Sequence, residues 1–247
     1  TGASNTAVGV NALDANTTAS NNTAVGNDAL YVNTTGSENT AIGKFSLQSN
    51  TTGSNNNALG YNALGANTTG TQNTAMSRDA LGSNTTGNHN TGVGYASLGA
   101  NTTGTQNTAV GRDSLLANTT GANNTALGYQ ALDANTTGAS NSALGRGAGG
   151  SYVSGYNNTS IGYLADGDGT SGNGNITIGY NAQKSAVGSA GQCTLGSSDI
   201  TNLRCNDTTI SSLSDSRDKT NIIDSPYGLD FINTVRPVQF KWESRDG

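Results

Sequence analysis

The sequence predicts an all-β fold, a parallel β-solenoid or β-roll of 17-residue coils, and three observations predict it. The pentapeptide Asn-Thr-Ala-Val-Gly at Asn5 to Gly9 returns, with small variations, at Asn22, Asn39, Asn56, Asn73, Asn90, Asn107, Asn124, Asn141, Asn158 and Asn175, always at the same 17-residue step and without insertion. A period kept without slippage means identical units stacked on one another. The fourth place of each unit is apolar, which a disordered low-complexity chain has no reason to preserve. The composition excludes an ordinary globular core: hydrophobic residues are 32%, aromatics 5%, and Asn, Thr, Gly, Ala and Ser carry the chain.

Counting from Asn5 as position 1, the consensus is N-T-A-V-G-x-x-A-L-x-x-N-T-T-G-x-x. The apolar column at position 4 contains Val8, Val25, Ile42, Leu59, Val110, Leu127, Ile161, Ile178 and Leu195 and is expected to face inward from a short strand. The column at position 9 contains Leu13, Leu30, Leu47, Leu64, Leu115 and Leu132, too close to the first for the same strand, so a turn at Gly9, Gly26, Gly43 and Gly60 separates them. The Asn-Thr-Thr-Gly quartets beginning at Asn33, Asn50 and Asn67 form the opposite turn. One coil therefore reads strand, turn, strand, turn, since helical repeats need more residues and stronger helix formers.

Twelve coils at about 4.8 Å would make a rod of roughly 55 to 60 Å, with each Asn over the next Asn in a hydrogen-bonded ladder and Thr columns on extended backbone. Two sizeable apolar side chains per coil, at roughly 1.5 to 3 kcal/mol each, do not offset the ordering entropy of the whole coil. The remainder is expected from packing Ala and Leu faces against identical chains, hence a homotrimeric fibre.

These N-T-A-V-G units resemble the head repeats of trimeric autotransporter adhesins and the repetitive shafts of phage tail fibres. The resemblance implies a narrow left-handed parallel roll, although the adhesin repeats are usually shorter than the unit of this chain.

The chain divides into a regular shaft, 1–146, a degenerate distal section, 147–210, and a third segment, 211–247. In the distal section Gly149, Asp166 and Gln183 replace the second Leu, and Tyr152, Tyr156 and Tyr163 enter, as core or interchain packing or as a sugar platform. Asp166, Asp168 and their Gly-rich surroundings have some oxygen donors of a calcium loop, but Ser171 and Thr177 stand where that loop needs Gly and Glu, so a plain turn is the better reading. His89 has no companion ligand, and no metal or cofactor is expected. Cys193 and Cys205 read as two small buried residues, a disulfide remaining the alternative. The many Asn-x-Thr triplets follow from composition and serve turns.

A net charge of −5 with scattered Lys and Arg excludes nucleic-acid binding, and no apolar run is long enough to insert in a membrane. The chain opens at Thr1 and its one methionine is Met76, so it reads as a fragment or processed product.

The third segment changes character. It runs Ser214-Asp215-Ser-Arg217-Asp-Lys219, then a Ser225-Pro226 helix start with Leu229, Ile232 and Val235 on a stripe, then the alternating Val238, Phe240 and Trp242 of a strand, a short α+β segment. These residues resemble the opening of the self-cleaving intramolecular chaperone of endosialidase-type phage tail proteins. The resemblance implies cleavage before Asp215, with Ser214 as nucleophile and Lys219 as base, its pKa lowered by burial or by Arg217. Such a chaperone would set the register of three near-identical repeat chains.

The expected function is the shaft of a phage tail fibre in the virion, presenting a surface to a host-cell receptor, a glycan being one candidate, beside other tail proteins. The alternative is a trimeric adhesin or fibril on a bacterial surface. A polysaccharide-degrading tail spike is disfavoured because Asp14, Asp28, Glu38, Asp79, Asp113 and Asp133 lie singly along the repeats.

Overall fold

The structure is a computed structural model that describes residues 2–166, 171–183 and 188–200, all within one compact unit, Thr1–Thr201. Among the described residues there is no helix, and the strands are β1 (Thr6–Val8), β2 (Thr23–Val25), β3 (Thr40–Ile42), β4 (Asn57–Leu59), β5 (Thr74–Met76), β6 (Thr91–Val93), β7 (Thr108–Val110), β8 (Thr125–Leu127), β9 (Ser142–Leu144), β10 (Thr159–Ile161), β11 (Ile176–Ile178) and β12 (Cys193–Leu195). They form one parallel sheet in sequence order. Every pair is in the 17-residue register, for instance Thr23 with Thr40 and Val25 with Ile42. This is the parallel β-solenoid that the period predicts.

Two expectations fail. Each coil carries one strand, not two: the second Leu column sits on a corner, with φ between 48° and 56° from Leu13 to Leu132. Left-handed backbone is costly for a side chain with a Cβ, yet here it turns the amide toward the neighbouring coil. Leu47 N donates to Ala63 O at 3.0 Å, and Asn62 N, from another left-handed position, donates to Lys44 O at 3.0 Å. Coil-to-coil hydrogen bonds thus run around the circumference and are not confined to the sheet.

The second correction concerns the first apolar column. Val8, Ile42, Leu59, Val110, Leu127, Ile161, Ile178 and Leu195 stand between 37% and 58% exposed, and Val25 is only half-buried. In a three-residue strand the side chains alternate, so one residue or two face inward. The inward one is position 3: Ala24, Ala41, Ala58, Ala75, Ala109 and Ala126 are fully buried or within 1% of it. A 17-residue coil encloses too little space for both a Val and a Leu at one level. Leu30, Leu47, Leu64, Leu115 and Leu132 fill it, as the sequence predicts for them, with Leu13 at the buried limit in the first coil.

The rest of the interior is amide. At position 12, Asn50 Nδ2 donates to Asn33 Oδ1 at 2.8 Å, and the rungs repeat at 2.8 Å through Asn67, Asn84, Asn101, Asn118 and Asn135. A second ladder runs through position 1, where the backbone N–H of Asn39 donates to Asn22 Oδ1 at 2.9 Å. The two ladders meet on one acceptor, since the Gly36 carbonyl receives both Asn22 Nδ2 and Asn33 Nδ2 at 2.9 Å. These asparagines are buried, so the expected ladders exist and run inside the coil. The Asn of each Asn-Thr-Thr triplet from Asn33 onward is likewise inaccessible to glycosylation in the folded chain.

Glycine at position 5 has φ from 126° to 140° between Gly9 and Gly179, and a Cβ on Gly43 would lie 2.4 Å from the Gly60 carbonyl oxygen. Ser77 breaks this column at φ 123°. Ser77→Gly is therefore expected to raise stability by about 1 kcal/mol or more, read as a higher midpoint of denaturation.

Candidate functional surfaces

The outward strand face is the first surface. Position 2 supplies mostly Thr and position 4 supplies Val, Ile, Leu or Met, so a narrow uncharged strip follows β1 to β12. Between β8 and β10 it dips into an almost wholly apolar depression of about 200 Å³ lined by Leu127, Leu144, Ile161 and the small residues beside them. A continuous apolar strip of this kind is more exposed hydrophobic surface than scattered single side chains would give. Cys193 opens β12 at position 2 and is exposed, contrary to the buried reading; Cys205 lies outside the described residues.

The second surface, at position 6, has no counterpart in the sequence-based expectations. All four Lys and Arg side chains among the described residues stand in this one column, as Lys44, Arg78, Arg112 and Arg146, so the positive charges are aligned and not scattered. Tyrosines occupy the intervening coils. Arg78 lies over Tyr61 and Tyr95 (5.4 and 5.9 Å to the ring centroids), Arg112 over Tyr95 and Tyr129 (5.6 and 5.7 Å), and Arg146 over Tyr129 and Tyr163 (5.6 and 5.2 Å). The column closes with Tyr163 stacked on Tyr180 at 5.6 Å and opens with Lys44 over Phe45, itself edge-on to Tyr61. Two of the arginines are also paired within their coils, Arg78 with Asp79 at 3.0 Å and Arg112 with Asp113 at 3.1 Å. The sequence signal was present as a step of two coils: Tyr61, Tyr95, Tyr129 and Tyr163 recur in every second unit, as do Arg78, Arg112 and Arg146.

The three distal tyrosines do not form one cluster. Tyr163 belongs to the column, Tyr156 is exposed, and Tyr152 is fully buried in the place of a ladder asparagine. Its ring adjoins Gly149, which replaces Leu, and its hydroxyl lies 3.2 Å from Ser160 Oγ, which replaces Ala and continues to Thr177 Oγ1 at 3.0 Å. One large ring thus substitutes for Leu and Asn together. The ladder ends there, leaving Asn135 Oδ1 without a hydrogen bond. Tyr152→Asn alone is expected to cost about 3–5 kcal/mol. Gly149→Leu alone overpacks, because its Cβ would meet Leu132 Cδ2 at 2.7 Å and the Tyr152 ring at 3.2 Å. The double variant rebuilds the consensus, so a double-mutant cycle should show a favourable coupling of roughly 2 kcal/mol or more.

The loss of bulk at Gly147 and Gly150 leaves a groove of about 380 Å³ beside Arg146, lined by Gln130, Asp133, Ser151, Leu164 and Asp166 among others. Asp133 and Asp166, far apart in the sequence reading, share this groove. Burial raises the Asp133 pKa above its usual 3.8, against the lowering effect of backbone N–H groups, with the Asp113 charge a smaller raising influence. Asp166 accepts a hydrogen bond from the backbone N–H of Ser151. A second groove of similar size lies between Asn62 and Leu116, so concavity recurs along this side of the coils. No cluster of three or more metal-ligating side chains exists among the described residues. Asp168 of the suggested calcium loop lies outside the described residues. His89 occupies a left-handed corner, at φ 58°.

Ser214, Asp215, Arg217 and Lys219 lie outside the described residues. The family described as the chaperone of endosialidase matches residues 214–247, a span that includes them. No curated protein and no solved structure gives a significant match. The chain thus joins a parallel β-solenoid of 17-residue coils to a segment similar to the start of that chaperone, an arrangement that fits a structural protein of the tail-fibre or tail-spike type.

Proposed function

We propose that the chain is the shaft and distal part of a homotrimeric phage tail fibre, which presents a surface to a host-cell receptor and assembles with the help of its C-terminal chaperone. The observation that carries this reading is the exposed apolar column at position 4, repeated in register from β1 to β12 and followed by the chaperone-like segment. The intrachain core uses Ala, Leu and Asn, so the contact with identical chains is made by Val, Ile, Leu and Met of the outward strip and not by the Ala and Leu faces. Three such strips can converge on one axis, where they bury side chains that a lone chain leaves wet.

A strip that repeats every coil offers partners many shifted registers of nearly equal energy. A folded end that fixes the starting register resolves that degeneracy, which is the physical reason for a chaperone beside such a shaft. Once assembly is complete the chaperone is dispensable. Hydrolysis of the Ser214–Asp215 peptide, with the Ser214 hydroxyl activated by a neutral Lys219 amine, would release it.

Analytical ultracentrifugation with intact-mass spectrometry of the protein that carries its complete chaperone tests the reading. A trimer whose shaft chain ends at Ser214 is expected. The paired substitutions Leu127→Glu and Leu144→Glu, on exposed side chains, should leave the coil folded by circular dichroism and shift the protein to monomer. A wild-type monomer, or an unchanged trimer in the variant, would overturn the seam.

A further inference from the structure

The coils are similar enough that one could be skipped. If one whole coil loops out, the coils on either side can stack with every Ala, Leu and Asn in its usual place. Closing the loop costs little entropy, because that cost grows only slowly with length, so the main penalty is the looped-out coil's own hydrogen bonds. Nothing in the buried core between Ala24 and Leu132 distinguishes one coil from the next, apart from the Ala or Ser at position 8 and Gly92 in β6.

The surface column does distinguish them. From Tyr61 to Tyr163 aromatic and cation alternate strictly, each Arg lying between the two rings of the neighbouring coils. From Asn62 to Gln130 position 7 follows the same two-coil step, with Asp79 and Asp113 on the arginine coils and Asn62, Ala96 and Gln130 on the tyrosine coils; the Arg146 coil carries Gly147 there. We propose that this alternating column is a register lock: it doubles the effective repeat of residues 61–163 to two coils and disfavours the one-coil skip that the core permits.

The physical basis is a change of sign. In the native stack every Arg meets the negative face of a ring, an attraction that survives partial exposure. A skip that loops out a tyrosine coil sets an Arg beside an Arg and, at the Tyr95 coil, Asp79 beside Asp113, so two attractions are lost and repulsions take their place; a skip that loops out an arginine coil sets Tyr beside Tyr and forfeits the two attractions. A two-coil skip restores the alternation but must loop out twice as much chain and forgo another coil's worth of hydrogen bonds. The lock therefore acts on the smaller and otherwise commoner error.

The test compares two deletions in the full chain. Removal of residues 95–111 joins Gly94 to Arg112 and sets Arg78 beside Arg112. Removal of residues 95–128 joins Gly94 to Tyr129 and sets Arg78 beside Tyr129. By length alone the longer deletion should be the less stable, since stacked repeats add stability coil by coil. The lock reverses the order: the one-coil deletion is expected to melt roughly 2–4 °C below the two-coil deletion. Adding Arg112→Tyr and Asp113→Gln to the shorter deletion rebuilds a Tyr129–Gln130 type of corner, and should return it above the longer one. An order that follows length alone, or a shorter deletion that the two substitutions do not rescue, would overturn the proposal.

Discussion

Asn101→Leu, which keeps the number of side-chain heavy atoms but puts two methyl groups where the amide stood, is expected to destabilise the solenoid by about 2–6 kcal/mol although no charge or aromatic group is touched. Asn101 Nδ2 donates to Asn84 Oδ1 at 2.8 Å and to the Gly104 carbonyl at 3.1 Å, while its Oδ1 receives Asn118 Nδ2 at 2.8 Å. The leucine removes all three bonds. The Gly104 carbonyl keeps Asn90 Nδ2 at 2.8 Å, but Asn84 Oδ1 and one N–H of Asn118 are left without partners where water does not reach. Each such buried group costs about 1–3 kcal/mol, far more than the net worth of one satisfied bond. Hydrogen exchange should rise first around residues 84–121, because damage in a stack is local before it is global. A stability loss below about 1 kcal/mol would mean that the ladder is incidental to the fold. The chain supplies its own comparison at Tyr152, where the ladder stops, Asn135 Oδ1 goes unpaired, and a fully buried ring fills the coil instead.

The ladder also explains what the sequence made legible. An unbroken period can be satisfied only by in-register stacking, so the pairing of Val25 with Ile42 and the column of asparagines followed directly from the spacing. The direction of the strand side chains did not follow, because alternation permits either Ala41 inside or Thr40 and Ile42 inside, and the larger apolar residue is the natural choice for a core. Coil width decides the question, and width is a property of the entire coil closing on itself. The invariably small position 3, at Ala24, Ala41 and Ala58, was the available signal. The Leu corner escaped for a related reason: left-handed leucine is a poor expectation anywhere, and becomes acceptable only when packing and coil-to-coil hydrogen bonds on both sides demand it. The Arg and Tyr column has twice the period of the core, so a single-coil consensus averages two residue types that separate cleanly in pairs of coils.

The glycine that closes each Asn-Thr-Thr-Gly quartet is less replaceable still. Gly104→Val is expected to be the most damaging single substitution in the shaft, more so than loss of a ladder amide. A Cβ on Gly104 would sit 2.3 Å from Asn101 Oδ1 and 2.4 Å from the Gly121 carbonyl oxygen, and 2.9 Å from Asn118 Nδ2. The first and last of these belong to the ladder and the second to the backbone of the next coil, so no rotamer change relieves all three. The coils must separate. The first full coil shows the mild form of this strain: Ala19 stands in the place of the glycine, and the adjoining rung from Asn33 Nδ2 to Asn16 Oδ1 is 3.4 Å where the later ones are 2.8 Å. Gly104→Ala should lengthen its rung in the same way and leave one cooperative transition. Gly104→Val, with two further methyl groups, should uncouple the stack near its middle, so that calorimetry shows two transitions, or a loss of more than about 4 kcal/mol if the halves do not fold apart. A single transition within about 1 kcal/mol of the parent would show that adjacent coils can move apart at low cost, and would remove the close approach of Gly104 and Gly121 from the forces that fix the 17-residue step.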